Sequence, residues 1–397
     1  MHTSERVNKI HISPTMQIAA EAKKMKAEGI NVIDLSVGEP DFPTPHNIKE
    51  AAKKAIDENQ TRYTINAGTI ELRKAISQKL KRDNHLDYNL NEIIVSNGAK
   101  QCVYNSILAT VNESDEIIIP APYWVSYPDM VSMANGKSVI IETKEADGFK
   151  LKPEQLESAL TPKTKILILC NPSNPTGSAY TKSELESLAE VIKNKNVLVI
   201  SDEIYEKLTY GDFKFVSFAS ISQEMKRRTI LVNGVSKTYA MTGWRIGYNA
   251  GPEDIIEAIN KIQSHSTSNA SSVSQAAAIE ALAGPQYVIG EMLEEFKLRQ
   301  EYFHKELTSI KGISCYKPNG AFFLFPNVSH YFGKSTDVFK IAHSFDFAMH
   351  ILYEAHIAAV PGSAFGAEGY MRFSYATSME NLKEAILRLK KALSMLS

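Results

Sequence analysis

Two short runs, KILILC (165–170) and VLVIS (197–201), carry no sign of alternation between apolar and polar residues. A strand with one wet face must alternate, because successive side chains point to opposite faces of the sheet. These two must therefore be covered on both faces, which is the habit of parallel strands flanked by helices. Six short segments of this kind read as strands: Glu92–Ser96, Glu116–Pro120, Ser138–Glu142, Lys165–Cys170, Asn196–Ser201 and Thr229–Asn233. Each is apolar or β-branched and ends near a turn former. Helical patterns such as Ala99–Val111 and Ser183–Lys195 lie between them. The alternation predicts a doubly wound, mostly parallel α/β sheet.

The two ends of the chain read differently. Residues 14–29 form an amphipathic helical pattern closed by Gly29. A long charged helix is expected over Gly290–Leu307. The last helix, Met379–Leu396, places Glu380 and Asn381 near its start and lysines later, as the helix dipole favours. A chain of 397 residues suits two domains, at roughly 100–200 residues each. The expected division is a large domain over 48–285 and a smaller α+β domain built from both ends, 1–47 with 286–397.

With 44 basic and 45 acidic side chains the net charge is −1, which offers no general attraction for nucleic acid or an anionic membrane. Cys102, Cys170 and Cys315 form no CxxC pair and no zinc spacing, and an odd number suits no disulfide framework. They read as reduced thiols of a cytoplasmic protein, with no metal site expected. Met1–Ile10 is polar and charged, unlike a signal peptide, and no apolar run approaches the ~20 residues of a membrane helix.

The chemistry gathers at strand ends. The strand TILVN runs into Gly234 and then Lys237. A lysine just past a parallel strand points into the crevice where α/β folds bind ligands, and burial there frees a neutral amine for Schiff-base chemistry. A lone lysine is more often a surface residue, so its companions decide. Arg245 lies in the apolar, aromatic segment MTGWRIGY, where it calls for a fixed anion, either a structural carboxylate or a phosphate. Asn97-Gly98-Ala99-Lys100 follows a strand and opens a helix, whose N-terminus favours negative charge. Neither a GxxxxGK[ST] loop nor a strand-borne GxGxxG is present. Asp202 ends the strand NVLVIS. It is either a helix N-cap or the partner of a buried cation such as a protonated pyridine nitrogen. Tyr205, about a turn on, could bond a phenolate-like oxygen of the same ring. Asn174 sits in the rigid turn NPSNPTG. Trp124 could cover one face of a planar ring or be plain core. Arg372, in an apolar strand pattern, wants a bidentate partner such as a carboxylate.

The segments VGEPDF, YWVSYPDM, NPSNPTG, SDEIYE, SKTYAMTGWRIGY and RFSYA occur in this order. Together they resemble the fold-type I aminotransferases that use pyridoxal 5'-phosphate, and more narrowly the bacterial aspartate, aromatic and prephenate aminotransferases. The likeness runs from about residue 5 to about 395. It implies a seven-stranded sheet and a homodimer. It implies that Lys237 carries the cofactor as a Schiff base and then acts as general base. Asp202 would pair with the pyridine nitrogen, and Tyr205 and Asn174 would bond the phenolic oxygen. Trp124 would stack on the ring. Gly98, Ala99, Lys100, Ser236 and Arg245 would surround the phosphate, and Tyr63, in TRYTINAG, would reach the phosphate of the neighbouring subunit. Arg372, Asn174, Trp124 and the backbone of Gly38 would hold the substrate.

Two departures bear on specificity. Ala99 stands where many relatives have a second glycine. His11 stands where relatives that accept prephenate carry a lysine, which weakens that reading. Lys100 stands where relatives contact the distal carboxylate of aspartate. The resemblance thus implies ping-pong transamination between aspartate and 2-oxoglutarate. The alternatives are an aromatic or prephenate aminotransferase, a carbon–sulfur lyase, or a cofactor-binding regulator without catalysis.

Overall fold

The computed structural model describes residues 3–10, 14–338 and 340–397, so His11 lies outside the described residues. A short strand, β1 (Ile33–Asp34), precedes the main sheet. That sheet contains β2 (Ile93–Ser96), β3 (Glu116–Ala121), β4 (Lys137–Glu142), β5 (Thr164–Cys170), β6 (Leu198–Asp202), β7 (Thr229–Gly234) and β8 (Gly247–Ala250). Its order is β2-β8-β7-β6-β5-β3-β4. Neighbours pair in parallel, except that β8 runs antiparallel to both β2 and β7. The six strands expected from pattern are present within a few residues. The seventh, β8, reads Gly-Tyr-Asn-Ala and has no β-branched residue to mark it. It pairs on both edges, and context rather than propensity makes it a strand.

β5, β6 and β7 are buried almost throughout, as their unbroken apolar runs require. Helices cover both faces. Ala99–Thr110, Ser126–Met133 and Glu253–Ser264 share one core with Ile117, Ile166, Ile168 and Ile200. Lys182–Ile192 packs Leu185, Leu188 and Ile192 against Ile118, Leu167 and Val199 on the other face.

Both chain ends enter a common core. Ile18, Ala22 and Met25 of the helix Pro14–Ala27 meet Phe296 and Phe303 of Tyr287–Thr308, and Leu382 and Leu389 of Met379–Ser394. β9 (Phe323–Leu324), β10 (Ile357–Ala358), β11 (Val360–Pro361) and β12 (Met371–Ser374) complete this part. β1 pairs with β10 in parallel, and β12 lies between β11 and β9. Replacing fully buried Phe296 by Ala would cost about 3–5 kcal/mol.

Two consequences place the site. β2, β5, β6 and β7 share a direction, so their carboxyl ends open on the same side, where ligands bind in open α/β sheets. β1 leads the chain directly into that opening: Leu35 accepts from the Ser374 N–H at 2.8 Å, and Ser36 and Gly38 follow.

Candidate active site

A cleft of 420 Å³ opens at those strand ends. Gly38, Ala99, Lys100, Trp124, Asn174, Asp202, Tyr205, Ser236, Lys237, Arg245 and Arg372 all line it. Residues spread over more than three hundred positions thus line one cleft. Two of the candidates stand apart. Gly98 lies just behind the lining, against Arg245. Tyr63 is 94% exposed and does not line this cleft. Among the described residues, no group of three metal-ligating side chains is close enough to hold an ion.

Lys237 follows β7 through a tight turn. Its half-buried amine donates to the Gly38 carbonyl. Burial lowers its pKa to about 8; the charge of Glu39 opposes this, and those of Arg372 and Arg245 add to it. Such an amine is partly neutral near physiological pH, as a nucleophile or base must be.

Asp202 terminates β6 and no α-helix follows, so it is not a helix N-cap. Its Oδ1 accepts from the Ile204 N–H at 3.3 Å and its Oδ2 from the Tyr127 hydroxyl at 2.8 Å. Burial raises its pKa to about 6, against the pull of Tyr127, Ile204 and Lys237. A buried carboxylate with no salt bridge among the described residues is ready for a cation.

Two loops meet on one side of the cleft. Gly98 (φ +88°) precedes the helix Ala99–Thr110, and no side chain caps that N-terminus. A Cβ on Gly98 would collide with the Arg245 guanidinium, and one on Gly247 would strike the backbone of Gly98 and Ala99. Ala99 itself is the first helical residue, a position where alanine is unstrained. Arg245 donates to the Thr242 carbonyl at 2.8 Å and the Asn97 carbonyl at 3.3 Å. Neither is an anion, so of the two partners open from sequence the structural carboxylate is not the one found. Lys100 lies 5.0 Å over the Trp124 ring, and burial followed by the charge of Arg245 lowers its pKa.

Arg372, on β12, is 6% exposed. It donates to Asn174 Oδ1 at 2.9 Å and to the Ser36 carbonyl at 2.6 Å, while its Nε has no partner among the described residues. Phe323 and Phe365 lie 4.4 and 5.1 Å from its guanidinium. Burial lowers its pKa to about 10, which still leaves it charged. The arrangement is a desolvated fork held open for a planar anion.

Three contributors escape sequence reasoning. Tyr127 sits inside the quoted YWVSYPDM segment, but nothing local shows that it meets Asp202, 75 residues away. The Ser36 carbonyl and the ring of Phe365 act through backbone and aromatic contacts that leave no sequence pattern.

A lysine, a buried carboxylate and two arginines around one cleft, at the carboxyl edge of a doubly wound sheet, suit an α/β enzyme that binds an anionic ligand. Comparison with known proteins is more specific. A model of the family described as aminotransferase class I and II matches residues 30–389. The probable aspartate/prephenate aminotransferase of Rickettsia felis is 50% identical over 99% of this chain and 97% of its own. The aspartate aminotransferase of Bacillus subtilis is 47% identical over 98% of each. Among solved structures, the aspartate aminotransferase of Rhizobium meliloti superposes with a TM-score of 0.97 at 45% identity, covering 100% of both chains. That of Thermus thermophilus, with maleate, gives 0.93 at 37%, covering 99% of this chain and 100% of its own. The chain belongs to the class I and II aminotransferase family.

Proposed function

We propose that this enzyme transfers the amino group of aspartate to 2-oxoglutarate in two half-reactions, with pyridoxal 5'-phosphate held at Lys237. The observation that carries the reading is that Lys237 and Asp202 share one cleft with two arginines, Arg245 and Arg372, that have no carboxylate partner among the described residues.

The residues fit that cofactor. The uncapped helix start at Ala99, with Ser236 and Arg245 beside it, suits a phosphate. Asp202 suits a protonated ring nitrogen, and Tyr205 and Asn174 a phenolic oxygen. Trp124 suits a flat ring. When bound, the cofactor supplies a carbonyl carbon that takes up the amino group and a ring that accepts the electron pair left at Cα.

The chain's own groups do the rest. Arg372 and Asn174 fix the α-carboxylate, with the backbone of Gly38 alongside. Lys237 Nζ would take the Cα proton and deliver it to the cofactor carbon that receives the amino group, which its lowered pKa permits. Lys100, at the cleft wall, offers a cation to the distal carboxylate. The Thermus relative is described with maleate, a dicarboxylate, which supports a dicarboxylic donor over an aromatic one.

We further propose a homodimer in which Tyr63 reaches the neighbour's phosphate, a cytoplasmic location, and the division into domains 48–285 and 1–47 with 286–397. The common core of the two chain ends supports that division. No helix of the described residues is long and apolar enough to cross a membrane.

Borohydride reduction of the cofactor-loaded protein, followed by peptide mass mapping, tests the assignment. The phosphopyridoxyl mass is expected on the peptide holding Lys237 and absent from Lys237→Ala, which should lose turnover. Labelling at another lysine, or substantial activity in Lys237→Ala, contradicts it.

A further inference from the structure

We propose that Tyr127 is a positioning residue that holds the Asp202 carboxylate ionised, so that the proton shared with the cofactor's ring nitrogen rests on the ring. The inference rests on the role given to Asp202 above.

Tyr127 is the second residue of the helix Ser126–Met133 and is 1% exposed. Its ring packs edge-on against Trp124, with centroids 5.3 Å apart and planes at 84°. That contact leaves the hydroxyl little choice of direction. It donates to Asp202 Oδ2 at 2.8 Å, while Oδ1 takes the longer bond from Ile204 at 3.3 Å. The other ionisable groups acting on Asp202, or felt by it, are Cys102, Cys170, Tyr205 and Lys237. Of these only Lys237 can be positive, and its role requires it to give up that charge during the reaction. The Tyr127 hydroxyl is the shorter of the two hydrogen bonds to the carboxylate and does not change charge in the cycle.

A hydrogen bond to the ionised form of an acid lowers its proton affinity. Burial has the opposite effect on Asp202. A carboxylate made basic by burial competes with a pyridine nitrogen for their common proton. If the proton moves to Asp202, the ring loses its positive charge and accepts electrons less well. The Tyr127 hydroxyl counters that transfer. Tyr127→Phe keeps the ring and its packing on Trp124 and removes only the donor.

The test uses pyridoxal phosphate labelled with ¹⁵N in the ring, loaded into wild type and Tyr127→Phe. The nitrogen chemical shift reports protonation directly and would not respond to a merely structural role. Wild type should hold a protonated ring nitrogen through neutral pH. The variant should shift toward the neutral form, and kcat should fall by about tenfold or more, as for loss of a hydrogen bond to a charged group. The KM for the amino acid should change little. In an Asp202→Ala background, adding Tyr127→Phe should leave the nitrogen signal unmoved. Identical nitrogen shifts in wild type and Tyr127→Phe overturn the inference, as does a Tyr127→Phe effect that persists without Asp202. If wild type takes up no labelled cofactor, the reading of the site falls and this inference with it.

Discussion

Arg372 and Lys237 differ in how far their surroundings have already committed them. Arg372 has two neutral acceptors, two aromatic faces and one unpartnered N–H, so its geometry is complete except for an anion. A planar fork can complete that pattern and a point charge cannot. Arg372→Lys should therefore weaken substrate binding by about 2–3 kcal/mol, a rise in KM of roughly 30- to 150-fold. Steady-state kinetics with aspartate checks this, and an unchanged KM would remove Arg372 from the site. At this scale the sequence was informative where a polar residue interrupted an apolar segment, as at Arg245 and Arg372, or stood at a strand's end, as at Asp202 and Lys237. Tyr127 was not, because a tyrosine at a helix start is ordinary until the fold brings Asp202 to it.

At the scale of the element, the end of β6 and the residue after it send consecutive acids to different surroundings. Asp202 faces the cleft, while Glu203 is fully buried elsewhere. There Glu203 Oε1 accepts from Ser201 and Ser217 and from the Phe218 N–H, and Oε2 has no partner among the described residues. Close by, Glu206 pairs with buried Lys79 and takes the Asn84 amide at 2.8 Å. Burial, and then the charge of Glu206, hold Glu203 well above its ordinary value of 4.5. A carboxyl raised in the folded state binds its proton more tightly there than in the unfolded chain. Its contribution to stability is thus greatest at low pH and shrinks as pH rises above 4.5. Glu203→Gln, which cannot ionise, should gain on wild type as pH rises from 5 to 8. Urea midpoints compared across that range check it; a constant difference would show that Glu203 does not take up a proton on folding. The strands themselves were legible because burial on both faces demands unbroken apolar runs. β8 was not, since Gly247 is small to clear the loop at Gly98 and Ala99, not to favour a strand.

For the whole molecule, the sequence pattern conveyed a doubly wound sheet and two chain ends of different character. The pairing of β1 with β10 depends on contacts between residues more than three hundred positions apart, which local pattern does not encode. The exposed Tyr63 belongs to this scale, because its proposed task lies in another copy of the chain. Tyr63→Ala and Lys237→Ala homodimers should each be impaired. Subunit exchange between them should restore activity, since the mixed dimer holds one site with both Lys237 and the partner's tyrosine. Random mixing gives about half mixed dimers with one intact site of two, so recovery should approach about a quarter of wild type. No recovery would place Tyr63 outside the neighbouring site.

The central claim, amino-group transfer from a dicarboxylic amino acid at Lys237, is tested most directly by a half-reaction without a second substrate. The visible absorption of the cofactor-loaded enzyme is followed as single amino acids are added. Aspartate and glutamate should each bleach the band of the lysine-bound cofactor and release one equivalent of 2-oxo acid per site. Bleaching by tyrosine or phenylalanine but by neither dicarboxylate would contradict the account.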